Sequence, residues 1–86
     1  MELLNHKNFE KDYLKLSLKY QKLVELVLVK FVENHFDASL RNHKLKGKYF
    51  GMNSIDAGND LRIIFRQEGD YAIVLLIRVG KHSQLY

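Results

Sequence analysis

The chain has 86 residues, 47% of them hydrophobic, with no cysteine, no proline and a formal net charge of +4. That length allows one domain, residues 1–86, with a single two-layer core, and the apolar share excludes an intrinsically disordered chain. The missing cysteines exclude a disulfide framework and a thiolate metal site, and they fit a reducing cytoplasm, where we expect the protein to act.

In chain order, Glu2 to Leu4 is a short strand candidate, and the mixed polarity of Met1 to Phe9 gives no sign of a signal peptide. From about Lys7 to Asn34 the apolar spacing is helical. Phe9, Tyr13, Leu14 and Leu16 form one stripe, and Leu23, Val24, Leu26, Val27 and Phe31 form a second. Ser17-Leu18-Lys19-Tyr20 divides the segment into a helical hairpin. Glu10, Asp12, Lys15, Lys19 and Lys22 read as solvated helix faces, and His6 and His35 as structural or exposed. The longest apolar run, Leu23 to Val32, is interrupted by Glu25 and Lys30 and is too short to span a bilayer, so no membrane role is expected.

Asp37-Ala38-Ser39-Leu40 reads as a capped single turn, followed by a basic loop. Residues 38–55 hold Arg41, Lys44, Lys46 and Lys48, together with His43 and no acid, while the other 10 basic and 10 acidic residues cancel. The entire charge excess therefore sits in one segment. A solvated loop is the bland interpretation; an electrostatic footprint for a polyanion is the sharper one.

Three strands are expected at about Tyr49 to Asp56, Leu61 to Arg66 and Tyr71 to Val79, separated at hairpin spacing by Gly58-Asn59 and Glu68-Gly69-Asp70. The fold class is α+β, with two helices packed on one face of a small, mainly antiparallel sheet. Alternation puts Ile55 and Ala57, then Leu61, Ile63 and Phe65, then Ile73, Leu75, Ile77 and Val79, on the helix side. Ser54, Asp56, Asp60, Arg62, Ile64, Arg66, Val74, Leu76 and Arg78 then face the other way. The open face collects Asp56, Asp60, Arg62 and Arg78. At its rim lie the basic loop and the ending Gly80-Lys81-His82-Ser83-Gln84-Leu85-Tyr86, in which Gly80 is expected to free the backbone and chain ends ordinarily fray.

Several segments resemble the RelE/ParE toxin superfamily, and most of all its YafQ-like mRNA interferases: Ser39-Leu40-Arg41-Asn42-His43-Lys44-Leu45-Lys46-Gly47, Ser54-Ile55, Asp60-Leu61-Arg62-Ile63-Ile64-Phe65, Arg78-Val79-Gly80-Lys81-His82 and Leu85-Tyr86. Phe9-Glu10-Lys11-Asp12-Tyr13 is similar to the family's entry into its first helix, and the likeness spans essentially the whole chain. It implies a β-α-α-β-β-β toxin domain that enters the ribosome and cuts translated mRNA, and a small antitoxin that silences it. The YafQ-like pattern would place active-site groups at His43, Asp56, Asp60, Leu61, His82 and Tyr86. His43, Asp60, His82 and the aromatic Tyr86 match in kind. Asp56 stands where relatives commonly have His, and Leu61 where a Trp can occur, while Arg62 matches the strand arginine of the wider RelE group.

Metal-free RNA cleavage needs a base for the 2′-OH proton, cations for the pentacovalent phosphate, an acid for the leaving 5′-oxygen and a hold on the bases. The assignment we prefer makes His82 the general acid and Asp60 or His43 the base. Arg62 and Lys81 stabilise the phosphate; Arg41, Lys44, Lys46 and Lys48 steer RNA, as does Arg78 unless it only pairs with Asp56 or Asp60. Tyr86 stacks on a base or packs on the sheet. Asp56 reads first as a strand-end solvation residue, while Asp60 reads equally as a turn residue and His43 as a phosphate ligand. No H-E-x-x-H spacing is present, so neither a metal nor a small-molecule cofactor is expected. The expected partners are the ribosome, mRNA and a cognate antitoxin, a largely disordered segment that folds on binding. The rivals are a ParE-like gyrase inhibitor, which would lack the acid and base, and a relative that has lost activity.

Overall fold

Two small side-chain caps set the helical hairpin. The computed structural model describes residues 1–86. His6 Nδ1 accepts from the Asn8 N–H at 3.0 Å and starts helix α1, Lys7–Lys15; the Ser17 hydroxyl accepts from the Tyr20 N–H at 3.3 Å and starts helix α2, Leu18–Glu33. The elbow between them is tied by Gln21, whose Nε2 donates to the carbonyls of Tyr13 and Leu16. His35 stacks on Tyr71 with ring centroids 3.8 Å apart, so His6 and His35 are both structural. Asp37 caps the 3₁₀ turn Ala38–Leu40, and its hydrogen bonds from Ser39 pull its carboxyl below the usual range.

The remaining elements form one five-stranded sheet. Strands β1 (Glu2–Asn5), β2 (His43–Lys44), β3 (Asn53–Gly58), β4 (Leu61–Glu68) and β5 (Ile73–Lys81) lie in the order β1-β5-β4-β3-β2. All neighbours are antiparallel except β1, which runs parallel to β5 along the sheet's edge. Asn59 and Asp60, both with positive φ, make the two-residue turn from β3 to β4. The sheet and helices are the expected α+β arrangement. No helix is long and apolar enough to cross a membrane.

The helices cover one face. Phe9, Val24 and Phe31 pack there on Ile55, Ala57, Leu61, Ile63, Phe65, Val74, Leu76 and Val79. Phe31 meets Phe65 edge to face, ring centroids 5.0 Å apart. The open face carries a much smaller cluster of Tyr49, Ile64 and Leu85, flanked by Leu45, Met52 and Ile77.

Three expectations change. First, the basic block is not wholly loop: His43 and Lys44 pair with Ser54 and Asn53 as edge strand β2, and Gly47–Tyr49 forms a 3₁₀ turn. Second, β5 swaps faces midway. Ile64 pairs with Arg78 but Phe65 pairs with Leu76, so Ile77 is an extra, bulged residue. Before the bulge Val74 and Leu76 enter the core, Ile73 is exposed and Leu75 is half-buried; after it Val79 returns to the helix side. A strict period of two cannot foresee a bulge. Third, the ending does not fray but winds into a short helix α3, His82–Leu85.

Candidate active site

What seats α3 also builds the site. Leu85 is buried against Ile64 and Tyr49, and the Tyr49 hydroxyl donates to the Leu85 carbonyl at 2.9 Å. Gln84 Oε1 accepts from the Lys81 N–H at 3.0 Å, closing the turn's start. Gly80 lies beneath: a Cβ there would come within 3.3 Å of Gln84 Oε1 and Leu85 Cδ2. Its φ is not in the positive region, so its role is missing bulk and not a freed backbone. The His82 N–H donates to the Asp60 carbonyl at 3.2 Å, fixing where the imidazole begins.

Beside α3 is a cleft of about 520 Å³ lined by Arg41, Asn42, His43, Asp56, Arg62 and His82, with no hydrophobic residue among them. Asp56 and Arg62 are cross-strand partners on β3 and β4, and their side chains pair at 2.8 Å through Arg62 Nε. Arg41 Nη1 reaches the other Asp56 oxygen at 3.6 Å from a side chain that is 74% exposed, which leaves it free to swing onto an anionic ligand. Arg62 also donates from Nη1 to the Leu61 carbonyl, and its Nη2 stands 3.9 Å from Asp60. Its guanidinium is thereby held flat and aimed, with Asp56 as the positioning partner. No three His, Asp or Glu side chains converge in a way that would hold a metal ion.

His43 Nδ1 lies 2.8 Å from the Arg41 carbonyl. A carbonyl only accepts, so an Nδ1–H suits this contact, and Nε2 is the ring nitrogen left free of a protein partner. Asn42 holds this stretch rigid. Its Nδ2 donates to the His35 carbonyl and the Tyr71 hydroxyl, each at 3.0 Å, and its Oδ1 accepts from Asn53 Nδ2 at 3.0 Å. Tyr71 is itself fixed, at positive φ, by an N–H bond to Gln67 Oε1. Arg41, at φ 50°, ends the 3₁₀ turn in the left-handed region and directs the chain into β2.

The other expected residues fall in several places. Tyr86 packs its ring near both His82, at 4.6 Å between centroids, and Tyr49, at 5.5 Å, and remains 48% exposed. Asp60 is a turn residue with an exposed side chain, and its firmest contact is the backbone one to His82. Lys48 lies over the Tyr49 ring. Lys44 and Lys46 line a separate groove beside β2. Lys81 lies over the Tyr20 ring, on the α2 side and outside the cleft's lining. Leu61 is fully buried in the helix-side core, so that position offers no stacking group.

Arg78 is not paired with Asp56 or Asp60. Its Nε donates to Asp12 Oδ2 at 2.6 Å, its Nη2 to Asp12 Oδ1, and the same carboxylate accepts the Val79 N–H at 3.1 Å. The Asp12 hydrogen bond raises the Arg78 pKa, and the pair ties α1 to β5 beyond the point where β1 stops pairing. Asp12 is therefore a tertiary clamp and not part of a solvated face. Sequence reasoning assigned no role to Asn42 or Tyr49 and the wrong one to Asp12; Asn42 and Asp12 lie inside the YafQ-like segments, but nothing in those segments marks a hydrogen-bond hub or a clamp.

The family profile described as "Bacterial toxin of type II toxin-antitoxin system, YafQ" matches residues 1–86. No curated protein matches the chain. Among solved structures, YafQ from E. coli strain BL21(DE3) superposes with a TM-score of 0.80 at 18% identity, covering 99% of this chain and 97% of that one. HP0894 from Helicobacter pylori gives 0.70 at 26% identity, over 100% and 99% of the two chains. The toxin in the E. coli DinJ-YafQ complex gives 0.77 at 19% identity, over 99% and 97%.

Proposed function

This chain belongs to the YafQ family of toxins of type II toxin–antitoxin systems, and we propose that it is a metal-independent endoribonuclease that cuts ribosome-bound mRNA. The observation that carries this reading is the cleft itself, in which two imidazoles and two guanidiniums face one polar space. His43 Nε2 takes the 2′-OH proton, and the 2′-oxygen attacks the adjacent phosphorus. Arg41 and Arg62 balance the charge on the pentacovalent phosphate. His82 protonates the 5′-oxygen as the P–O5′ bond breaks, leaving a 2′,3′-cyclic phosphate and a 5′-hydroxyl. One proton enters at His43 and one leaves at His82, so the pair must be reset by proton exchange with water between turnovers.

The Nδ1 contact of His43 favours it over Asp60 as the base, because it leaves Nε2 free to accept. Tyr86, beside His82, orients or stacks a base. Arg41, His43 and His82 are all exposed, so nothing in this chain encloses the substrate. In-line geometry must then come from the surface that carries the mRNA, which supports ribosome dependence. The relatives solved with partners, E. coli YafQ with DinJ and the Mycobacterium tuberculosis RelBE2 complex, support a cognate antitoxin here too. The protein would act in the cytoplasm, where ribosomes are.

Expression of the wild type and of His82→Ala, followed by mapping of mRNA 5′ ends, tests the reading. New 5′-hydroxyl ends should appear with the wild type and vanish with the variant. Equal cleavage would remove His82 from the chemistry. Inhibition of gyrase supercoiling with mRNA left intact would replace the nuclease by a ParE-like activity.

A further inference from the structure

Phe50 is the most exposed large hydrophobic side chain of the protein, at 82%. It serves neither core. It sits at the tip of the segment joining β2 to β3, between Gly47 and Gly51, whose φ values of +68° and +89° require glycine's freedom. The tip is nevertheless rigid: the Phe50 N–H donates to the Gly47 carbonyl and the Met52 N–H to the Tyr49 carbonyl, both at 3.0 Å. A turn already stiff in its backbone presents the ring to a ligand without a further cost for ordering the loop.

Phe50 borders a groove of about 500 Å³ whose wall also includes Lys44, Lys46, Met52, Asn53 and Gln67. The groove holds two ammonium groups and no carboxylate. It is separate from the cleft but linked to it, since its Asn53 donates to the cleft's Asn42. Asn53 and Asp56 lie three residues apart on β3, roughly 10 Å at the rise of a strand, and point to opposite faces, so the groove adjoins the cleft around the β2 edge, where Lys44 follows His43 directly. A strand of RNA with one phosphate in the cleft that passes over the β2 edge would meet Lys44 and Lys46 and bring a neighbouring base to the Phe50 ring.

We propose that this groove is a nucleobase-stacking subsite: Phe50 takes an unpaired base of the same RNA strand that is cut, and Lys44 and Lys46 hold its flanking phosphates. The subsite rests on the nuclease reading and deepens it. The lysines and the absent carboxylates favour RNA over an apolar protein segment as the occupant. Stacking on an aromatic ring is tolerant of base identity, so the subsite sets register more than sequence.

The chain has no tryptophan, so F50W in the H82A background makes a single emitter at the subsite. The probe is a short single-stranded RNA whose cleavable 2′-OH is replaced by hydrogen, with binding followed in parallel by anisotropy. Emission should be quenched saturably, and F50A in the same background should weaken binding about 5- to 100-fold. An oligonucleotide that keeps its phosphates but lacks the neighbouring bases should bind with little quenching. If RNA binds and R41A weakens it, while F50A does not and the F50W emission is unmoved, the subsite is wrong and the cleft reading stands. An apolar protein partner would then be the occupant left for Phe50. Full quenching by the abasic RNA would equally overturn stacking. If neither R41A nor F50A alters RNA affinity, the cleft reading fails and the subsite with it.

Discussion

The helix-covered face of the sheet buries an apolar cluster of 13 residues, whereas the apolar cluster on the open face has only three. The first is a continuous apolar layer in which Phe31, Phe65 and Val24 are wholly removed from water. The second is a patch just large enough to bolt α3 in place, and the surface left beside it is the polar cleft. The stabilising core and the proposed chemistry are thus divided between two sides of a sheet one residue thick. Because strand neighbours alternate faces, Ile55 and Ile63 can serve the core while Asp56 and Arg62, adjacent in the chain, serve the cleft.

The division can be broken from either side. The largest expected effect is on activity: His82→Ala should lower cleavage by about 10²- to 10⁴-fold. Its ring is exposed, so the thermal midpoint should stay put, and a falling midpoint would mean that the open face carries more stability than its small cluster suggests. The converse is Phe31→Ala. That truncation removes the edge-to-face partner of Phe65 and should cost about 3–5 kcal/mol in denaturant melts. For a domain of this length, whose whole stability is roughly 5–10 kcal/mol, that comes near to unfolding it. Activity per folded molecule should be unchanged.

Leu85→Ala sharpens the comparison because Leu85 belongs to both ledgers. Its side chain is core, and its carbonyl is the acceptor for Tyr49. Truncation should cost about 2 kcal/mol, toward the low end for leucine because the surrounding cluster is small. Cleavage should fall too, since α3 carries His82 and leads directly into Tyr86. A variant that melts early yet cleaves at the wild-type rate when folded would show that α3 need not be seated for catalysis.

How far these faces were legible in the sequence depends on which regularity each one uses. Leu61, Ile63 and Phe65 alternate without interruption, and their placement against the helices follows from period two alone. Ile73, Leu75 and Ile77 alternate just as cleanly and were assigned to the wrong face, because the bulge at Ile77 inverts everything before it. Nothing in the local sequence marks that bulge; it is fixed by the partner strand. The cleft was legible in part for a similar reason. Asp56, Arg62, His43 and His82 are chemical residue types near strand ends, and they do share a space. Arg78 is the same type in the same kind of place, yet its direction is set by Asp12, 66 residues away on α1. The two-residue strand β2 is too short for any periodicity to announce it.

Ser54 gives the smallest and most discriminating test. It faces the open side as the second residue of β3, opposite His43, and it is 1% exposed. Its hydroxyl is the only buried side-chain polar atom without a hydrogen-bond partner. An unmet hydroxyl in such a place is a cost, so Ser54→Ala, which keeps the Cβ and removes the oxygen, should be neutral or stabilise the fold by up to about 1 kcal/mol. On the helix side of the sheet that would end the matter. Here the same substitution lies directly across from the proposed base, so its effect on cleavage decides which face Ser54 serves. Unchanged cleavage with a higher melting midpoint would make the hydroxyl a packing defect beneath the cleft. A several-fold loss of cleavage with a higher midpoint would mean the oxygen is kept for His43 or the substrate, at the expense of stability.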